Sequence, residues 1–351
     1  MSIKGRIADA LHRAGALDVV LRARATVRTP LLTVLTYHHV ADPRPGYPFD
    51  PDVADATPEQ FRRQVETLAR HFTLIGIDEL IASLDGAPLP KNAAMITFDD
   101  GYKSCRETAL PILREVGVRA VFFVATTYVA DRRMYWWERI AYTVAQRKGD
   151  RIRLEYPDPI ELDLSSPDAA RKLVATVKNT PGLEVARFLD ELVSATRIDW
   201  DAALERKLAD ELIMTWDDAR ALADAGMDVE SHSRTHRVFQ TLTPAELDVE
   251  LAGSRMDLEE QLGRPCRAIA FPVGRSIASH PRIRRAILRA GYRVGFTNSS
   301  GTSVVWAGTD RYDIKRWAVD RGMSDGMFLG QAAVPSLGYR SKNHDLTYVG
   351  A

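Results

Sequence analysis

Residues 93–102 read AAMITFDDGY, an apolar run that stops at two carboxylates and a glycine. A short apolar run bounded by turn residues is typical of a strand buried on both faces of a sheet. Similar runs alternate with amphipathic stretches on either side of it. The predicted strands cover residues 31–37, 93–98, 119–125, 227–230, 268–271 and 292–297. The predicted helices cover residues 57–71, 103–116, 215–225, 244–262 and 280–290.

This alternation predicts an α/β fold, because strands and helices that alternate along a chain form a mostly parallel sheet with covering helices. The number of strand–helix units favours a closed (β/α) barrel over an open sheet. Residues 130–214 interrupt the pattern with a charged stretch of helical periodicity that begins with MYWW at 134–137. We interpret this stretch as a helical insertion that serves as a lid or as a wall of a substrate groove.

The composition is that of an ordinary globular protein. The chain has 351 residues, of which 45% are hydrophobic and 27% charged, and its 47 basic and 47 acidic residues cancel. These figures exclude a disordered chain, a collagen, a coiled coil and a small disulfide scaffold. A net charge of zero creates no global attraction to nucleic acid, so no nucleic-acid partner is expected. The two cysteines, Cys105 and Cys266, fit free thiols and cannot form a four-thiolate metal site.

The beginning of the chain shows no apolar run of the length that a membrane span or a secretory signal needs. Charges interrupt it repeatedly, so we expect a cytoplasmic protein, with contact to the inner membrane face as the alternative. Apolar residues do recur at helical spacing through residues 1–28. This segment is predicted to be an amphipathic helix that packs on the body of the protein or rests on a membrane surface.

Three polar clusters follow predicted strands, where the loops of α/β folds converge on one crevice. The first is Asp99 and Asp100, after the strand at 93–98. Adjacent buried carboxylates raise each other's pKa. A bound metal removes the conflict if one carboxylate is a ligand and the other serves as a general base. An ordinary polar turn is the alternative.

The second cluster is His232 and His236, after the strand at 227–230. Four-residue spacing lets two imidazoles reach one ion. Surface histidines in a turn are the alternative, because eight histidines in a chain sometimes produce this spacing by chance. One aspartate and two histidines would supply the three protein ligands that catalytic zinc typically has beside an open position for water.

The third cluster is Pro272, Val273 and Gly274, after the strand at 268–271. Proline and glycine mark a loop whose backbone N–H groups could face an oxyanion. Loops of this composition are common, so a plain turn is the stronger interpretation of this cluster taken alone.

In this order the three clusters resemble the polysaccharide deacetylase family, the NodB-homology group of carbohydrate esterase family 4. TFDDGY at 97–102 matches the first motif of the family, and the two histidines match its second. FPVG at 271–274 is similar to the third motif. LTYHHV at 35–40 is similar to the opening motif of the bacterial exopolysaccharide branch. The resemblance covers residues 31–320 apart from the insertion.

The resemblance implies a distorted (β/α) barrel and hydrolysis of an N- or O-acetyl group on a carbohydrate. It implies Asp99 as the general base, with Asp100, His232 and His236 as ligands of a divalent metal, Zn²⁺ being favoured over Co²⁺ or another ion. It further implies that Arg316 pairs with Asp99 and keeps it ionised. A surface arginine on a late strand is the alternative for that residue.

The resemblance also implies that the Val273 N–H, in the loop at 272–274, stabilises the oxyanion. The late Leu-His motif that supplies a proton donor in many relatives is not evident. The only late histidine is His344, in a predicted tail. The candidates for the proton donor are therefore His38 and His39, and support of the metal loop is the alternative role for both.

These interpretations divide the chain into an N-terminal amphipathic segment at 1–30, a catalytic domain at 31–325 with the insertion at about 130–214, and a C-terminal tail at 326–351. The expected partner is an acetylated carbohydrate. Two other functions stay open: hydrolysis of another carbohydrate amide, such as a formyl group, and carbohydrate binding by a catalytically degenerate site.

Overall fold

The computed structural model describes residues 3–26 and 30–334 of the chain. Its longer strands lie close to the predicted ones, and several short strands are present in addition. They are β1 Leu31–Tyr37, β2 His39–Val40, β3 Ala54–Ala56, β4 Thr73–Leu74, β5 Ala93–Phe98, β6 Val121–Val124, β7 Arg151–Leu154, β8 Ile160–Asp163, β9 Asp228–Ser231, β10 Ala268–Ala270, β11 Val294–Phe296, β12 Ser303–Val304 and β13 Trp317–Ala318.

The five predicted helices are present, although the one predicted at 103–116 opens with a wide π-helical turn at Cys105–Ala109. Helices at Ile77–Leu84, Thr126–Asp131 and Asp325–Ala333 were not predicted. The helices are α1 Ile3–Arg13, α2 Ala16–Thr26, α3 Pro58–His71, α4 Ile77–Leu84, α5 Leu110–Val116, α6 Thr126–Asp131, α7 Trp136–Gln146, α8 Ala169–Asn179, α9 Val185–Thr196, α10 Ala202–Leu212, α11 Trp216–Asp224, α12 Pro244–Leu262, α13 Pro281–Ala290 and α14 Asp325–Ala333.

Nine strands form one sheet in the order β11–β10–β9–β6–β5–β1–β12, with β4 beside β5 and β13 beside β1. The pairs are parallel except for β1 with β12. The sheet curls so that one segment, residues 314–317, pairs with both β11 and β1. Ile314 bridges to Phe296 of β11, and Trp317 pairs with Leu35 of β1. The predicted distorted (β/α) barrel is confirmed.

The central strands are buried on both faces, which explains why they read as continuous apolar runs. Alternate side chains separate into two apolar layers, as the two-residue period of a strand requires. Val34 and Met95 belong to the inner layer together with α4, while Leu35 and Ile96 pack under the surrounding helices. The polar residues that follow the strands therefore stand above a filled interior.

The insertion at 130–214 is mixed rather than purely helical, because an antiparallel hairpin of β7 and β8 lies among helices α7 to α10. Side chains of β7 alternate between exposed and buried, but a four-residue period-two pattern is too short to stand out in a charged sequence. The insertion begins inside the core, since α7 buries Trp136, Trp137 and Glu138.

The N-terminal segment predicted at 1–30 contains two helices, which Gly15 separates with a positive φ of 71°. Leu17 and Leu21 of the second helix are buried, and both helices pack on α14. The predicted packing on the body of the protein is therefore present. Other apolar side chains of the segment remain exposed, and we return to them below.

The predicted tail at 326–351 starts inside α14, so the packed chain continues at least to residue 334. Two glycines, at 326 and 330, weaken the helical signal of this stretch because glycine has low helix propensity. Gly326 is also the residue that lets α1 approach closely. His344, in the predicted tail, lies outside the described residues.

Gly326 and Gly330 should respond oppositely to the same substitution. A Cβ at 326 would lie 2.6 Å from Asp9 Cα and 2.8 Å from Asp9 N, so Gly326→Ala must push α1 away. A Cβ at 330 would lie 3.7 Å from Ala8 Cβ, an ordinary contact. Gly330→Ala therefore gains the roughly 0.5–1 kcal/mol of replacing a helical glycine. We expect thermal unfolding to give a lower midpoint for Gly326→Ala and a higher one for Gly330→Ala; equal midpoints would contradict this packing.

Candidate metal centre and active site

The hydrogen bonds between neighbouring strands continue for one residue beyond the ends of β5 and β9. Asp99 N donates to Tyr37 O at 2.8 Å, and His232 N donates to Val124 O at 2.9 Å. The residues that follow the strands are thus held in register with one another. They gather at the C-terminal end of the barrel, where α/β folds bind ligands.

Asp100, His232 and His236 bring one oxygen and two nitrogens together, with the three candidate ligand atoms within 4.8 Å of one another. Asp100 Oδ1 lies 3.4 Å from Nε2 of each histidine. All three residues are buried. Asp100 Oδ1 has no hydrogen-bond partner among the described residues. A buried carboxylate oxygen that has no hydrogen-bond partner is unfavourable unless a cation lies next to it.

The surroundings of the two histidines suit a role as metal ligands. His232 Nδ1 lies 2.9 Å from Ala270 O and donates its proton to this carbonyl, which orients the ring so that Nε2 lies on the side of Asp100. Burial lowers the pKa of His236 to about 3, although Asp100 raises it, so this imidazole is neutral near pH 7. A carboxylate with two imidazoles is a donor set that suits zinc and related divalent ions. The residues therefore fit a divalent metal.

Asp99 lies beside these three residues, but its carboxylate is paired with an arginine. Arg316 is fully buried and binds the Asp99 carboxylate through two parallel hydrogen bonds of 2.7 and 2.8 Å. Burial alone would raise the pKa of Asp99, but Arg316, with His232 and His38, holds it well below its ordinary value. Asp99 is therefore a carboxylate across the neutral range. Arg316 lies in the segment that closes the barrel and is not a surface residue.

Backbone strain concentrates at this site. Seven non-glycine residues of the described chain have a positive φ, and four of them are Asp100 (75°), Ser233 (64°), His236 (54°) and Val273 (63°). This region is disfavoured for residues with a Cβ, and most of all for a β-branched valine, so tertiary contacts must hold it. The carbonyl of Asp100, for example, accepts a hydrogen bond from Tyr135 Oη at 3.1 Å.

The loop that carries both histidines is held by α12 and by the insertion. The carboxylate of Glu250, buried in α12, accepts hydrogen bonds from Arg234 N and Thr235 N, both at 2.9 Å. Trp137 of α7 packs on the His236 ring with the ring centres 4.5 Å apart. The start of the insertion is thus a wall of the site.

His38 lies at the end of β1 against a buried carboxylate. Its Nδ1 is 2.9 Å from Asp55 Oδ2. Burial lowers the pKa of His38, but Asp55, followed by Asp100 and Asp99, raises it to about 9. Its imidazole is therefore protonated near pH 7.

His39 has the opposite environment. Its Nδ1 lies 2.7 Å from Ser104 Oγ and its Nε2 lies 3.0 Å from Tyr47 Oη. Burial lowers its pKa to about 4, so this ring is neutral and has both nitrogens engaged. Of the two candidate proton donors, only His38 is an imidazolium near pH 7 and so acidic enough to serve as a general acid.

The loop at 272–274 is held in one shape from both sides. Gly274 N donates to Phe271 O at 2.7 Å, and Asn298 N donates to Gly274 O at 2.9 Å. A Cβ at 274 would come within 2.6 Å of Asn298 N, so glycine is required there. The loop also borders the histidines, because Ala270, just before it, accepts the His232 hydrogen bond.

Three acidic residues beside the site were not predicted: Asp55, Glu250 and Glu138. Glu138 accepts hydrogen bonds from Tyr102 Oη at 2.8 Å and Asp50 N at 2.7 Å, and burial raises its pKa to about 8. The only sequence signal for these residues is an acid on the buried side of an apolar pattern, as in WWERI at 136–140. That signal identifies no partner, because every partner is distant in the chain.

The family model described as polysaccharide deacetylase matches residues 86–295, more than half of the chain. Among curated proteins, YxkH of Bacillus subtilis (strain 168), assigned by its name to the polysaccharide deacetylases, is 28% identical over 115 residues. This stretch is 33% of the present chain and 39% of the relative, so the chain matches well under two thirds of that protein's length.

Solved structures share the fold over most of the chain. The Streptococcus pyogenes deacetylase PplD, in complex with acetate, aligns with a TM-score of 0.57 and 17% identity over 87% of this chain and 99% of that one. IcaB from Ammonifex degensii aligns with a TM-score of 0.52 and 17% identity over 86% and 96% of the two chains. At these sequence identities, the alignments show that the folds are similar and nothing more.

Removal of either candidate ligand, His232 or His236, should abolish tight metal binding. We expect His232→Ala and His236→Ala to weaken Zn²⁺ affinity by more than the roughly 10–100-fold that loss of an outer hydrogen bond costs, because a donor atom itself is lost. Calorimetric titration of the full chain with zinc chloride measures this, with His280→Ala, just before α13, as the matched control. An unchanged affinity in His236→Ala would contradict the assignment.

Proposed function

This chain belongs to the polysaccharide deacetylase family, and on that basis we propose that it is a metal-dependent hydrolase that removes acetyl groups from an N-acetylated carbohydrate. The observation that carries the proposal is the buried Asp99 carboxylate, which Arg316 keeps ionised beside the Asp100, His232 and His236 set. A general base next to three metal ligands is what hydrolysis of an amide by water needs.

Asp99 takes the proton of the attacking water. Arg316 binds both of its carboxylate oxygens, so Asp99 is deprotonated and oriented before the water arrives. Because Arg316 also makes Asp99 a weak base, the part of a divalent metal, which we propose to be Zn²⁺, is to acidify that water and polarise the acetyl carbonyl.

The attack places negative charge on the former carbonyl oxygen. We assign the Val273 N–H to that oxygen, because preorganised backbone donors stabilise such charge without reorganising. The contact of Gly274 with Asn298 supports this role, since it holds the loop before substrate binds. The strained φ of Val273 is consistent with a backbone shaped for a ligand.

The leaving amine must gain a proton when its bond to the acetyl carbon breaks. His38 is the group that we propose for this step. Asp55 binds Nδ1 and keeps the ring protonated, so the His38 imidazolium can transfer a proton. Asp55 is then a positioning residue that acts through His38.

Acetate release tests the activity and the base together. We expect zinc-loaded protein to release acetate from members of a panel of N-acetylated and O-acetylated oligosaccharides and sugar precursors. Asp99→Asn preserves the shape of the side chain but removes the base, so kcat should fall by about 10²–10⁴-fold at unchanged zinc content. Asp217→Asn, on the exposed start of α11, is the matched control.

Lack of acetate release across the whole panel by zinc-loaded wild type would contradict the proposal. Release of formate from formylated sugars would then favour the other amide hydrolase. Saturable sugar binding without any turnover would favour the carbohydrate-binding alternative.

The pH dependence of kcat tests His38. The donor must be protonated, so activity should fall as the pH rises through the pKa of His38, which is about 9. In Asp55→Asn, the charge that raises the pKa of His38 is lost, whereas the burial that lowers this pKa remains. The basic limb of the kcat profile should therefore move to lower pH, while its acidic limb stays in place. In His39→Ala the basic limb should stay in place. A basic limb that does not move in Asp55→Asn would overturn the role of His38.

A further inference from the structure

The helices α1 and α2, here called the N-terminal hairpin, expose an unusual share of apolar surface. Nine large hydrophobic side chains are exposed in the part of the chain that the structure describes, and four belong to this hairpin of two eleven-residue helices. The four are Ile7 (56%), Leu11 (43%), Val19 (63%) and Val20 (43%). The remaining five lie between residues 249 and 306, so the hairpin carries four of the nine within 24 residues.

These four side chains face away from the protein body. Both helices direct their buried sides at the same helix, α14. Asp9 of α1 lies against Gly326, and both Ala8 of α1 and Leu17 of α2 lie against Gly330. The sides opposite to these contacts, which carry the four apolar residues, therefore look outwards together.

The charged residues of the N-terminal hairpin are segregated by sign. The exposed ones among the described side chains are Arg6, Arg13 and Arg22. Its acids are turned to the body: Asp9 Oδ1 accepts a hydrogen bond from Ser324 Oγ at 2.5 Å, and Asp18 pairs with His71 at 3.0 Å. The outward surface is thus apolar and cationic, although the chain as a whole has no net charge.

We propose that this surface of the N-terminal hairpin docks on an anionic lipid bilayer, with the apolar side chains in the interface and the three arginines at the headgroups. An apolar helix face rimmed by basic residues has the chemistry of interfacial binding. No helix among the described residues is long and apolar enough to span a bilayer, so the hairpin lies along the surface.

A second copy of the chain is a poorer occupant of this surface. A two-fold dimer places the same patch against itself, so the arginines of one copy would face those of the other, while Asp9 and Asp18 are already paired with Ser324 and His71. Anionic headgroups supply the opposite charge over the whole surface. The proposal goes beyond the deacetylase function and does not depend on it.

Flotation of the full chain with vesicles tests the docking. We expect binding to phosphatidylcholine vesicles that contain phosphatidylglycerol, weaker binding to phosphatidylcholine alone, and a loss of binding as salt is added. The triple variant Arg6→Gln/Arg13→Gln/Arg22→Gln should lower the partition coefficient by about fivefold per arginine, or roughly a hundredfold in all.

A charge-matched control removes three arginines from α13 instead, in Arg282→Gln/Arg285→Gln/Arg289→Gln, and should keep the binding. An equal loss in this control would show attraction by general charge and overturn the proposal. Failure of the wild type to bind anionic vesicles would overturn it directly.

The apolar contribution is tested by Ile7→Ser/Val19→Ser, two exposed substitutions that leave the buried sides of both helices intact. We expect this variant to lose vesicle binding and to retain the unfolding midpoint of the wild type. Met256→Ser, at another exposed apolar side chain, is the control that should bind normally. A wild type that is dimeric by light scattering, and that becomes monomeric in Ile7→Ser/Val19→Ser, would identify a self-association surface and refute lipid docking.

Discussion

The buried ion pair between Arg316 and Asp99 is the interaction on which the site and the closure of the barrel both depend. Arg316 belongs to the segment that bridges β11 and β1, and Asp99 ends β5, so their two hydrogen bonds tie the closing segment to the middle of the sheet. Asp99 also adjoins a second buried carboxylate, Asp100. Two such neighbours cannot both ionise without nearby cations. Arg316 serves one carboxylate, and the donor set around the other fits a metal.

Around this pair, the backbone is held in conformations that it would not adopt alone. The strained residues Asp100, Ser233, His236 and Val273 sit in three different loops, and each loop is secured by something outside it. Glu250 holds the histidine loop, and the insertion contributes Tyr135 and Trp137. The supporting contacts are long-range, so the site is preorganised by the whole barrel and not by any single loop.

Neighbouring residues of one type can differ in chemistry because their partners differ. His38 and His39 are adjacent and come from the same strand end, yet the first faces the Asp55 carboxylate and the second faces two hydroxyl groups. A nearby negative charge stabilises the imidazolium of His38, whereas burial without one favours the neutral ring of His39. The same logic separates Asp99, paired with arginine, from Glu138, which burial leaves with a raised pKa.

The sequence by itself determined the strand and helix pattern and the positions of Asp99, Asp100, His232 and His236, because these depend on local periodicity and on short motifs after apolar runs. It did not determine the hairpin in the insertion, the extent of α14 or which histidine is charged. It also did not reveal Asp55 or Glu250. Tertiary structure decided these features, because burial and charge depend on partners far away in the chain. Arg316 and Asp99 are 217 residues apart, and only barrel closure brings them into contact.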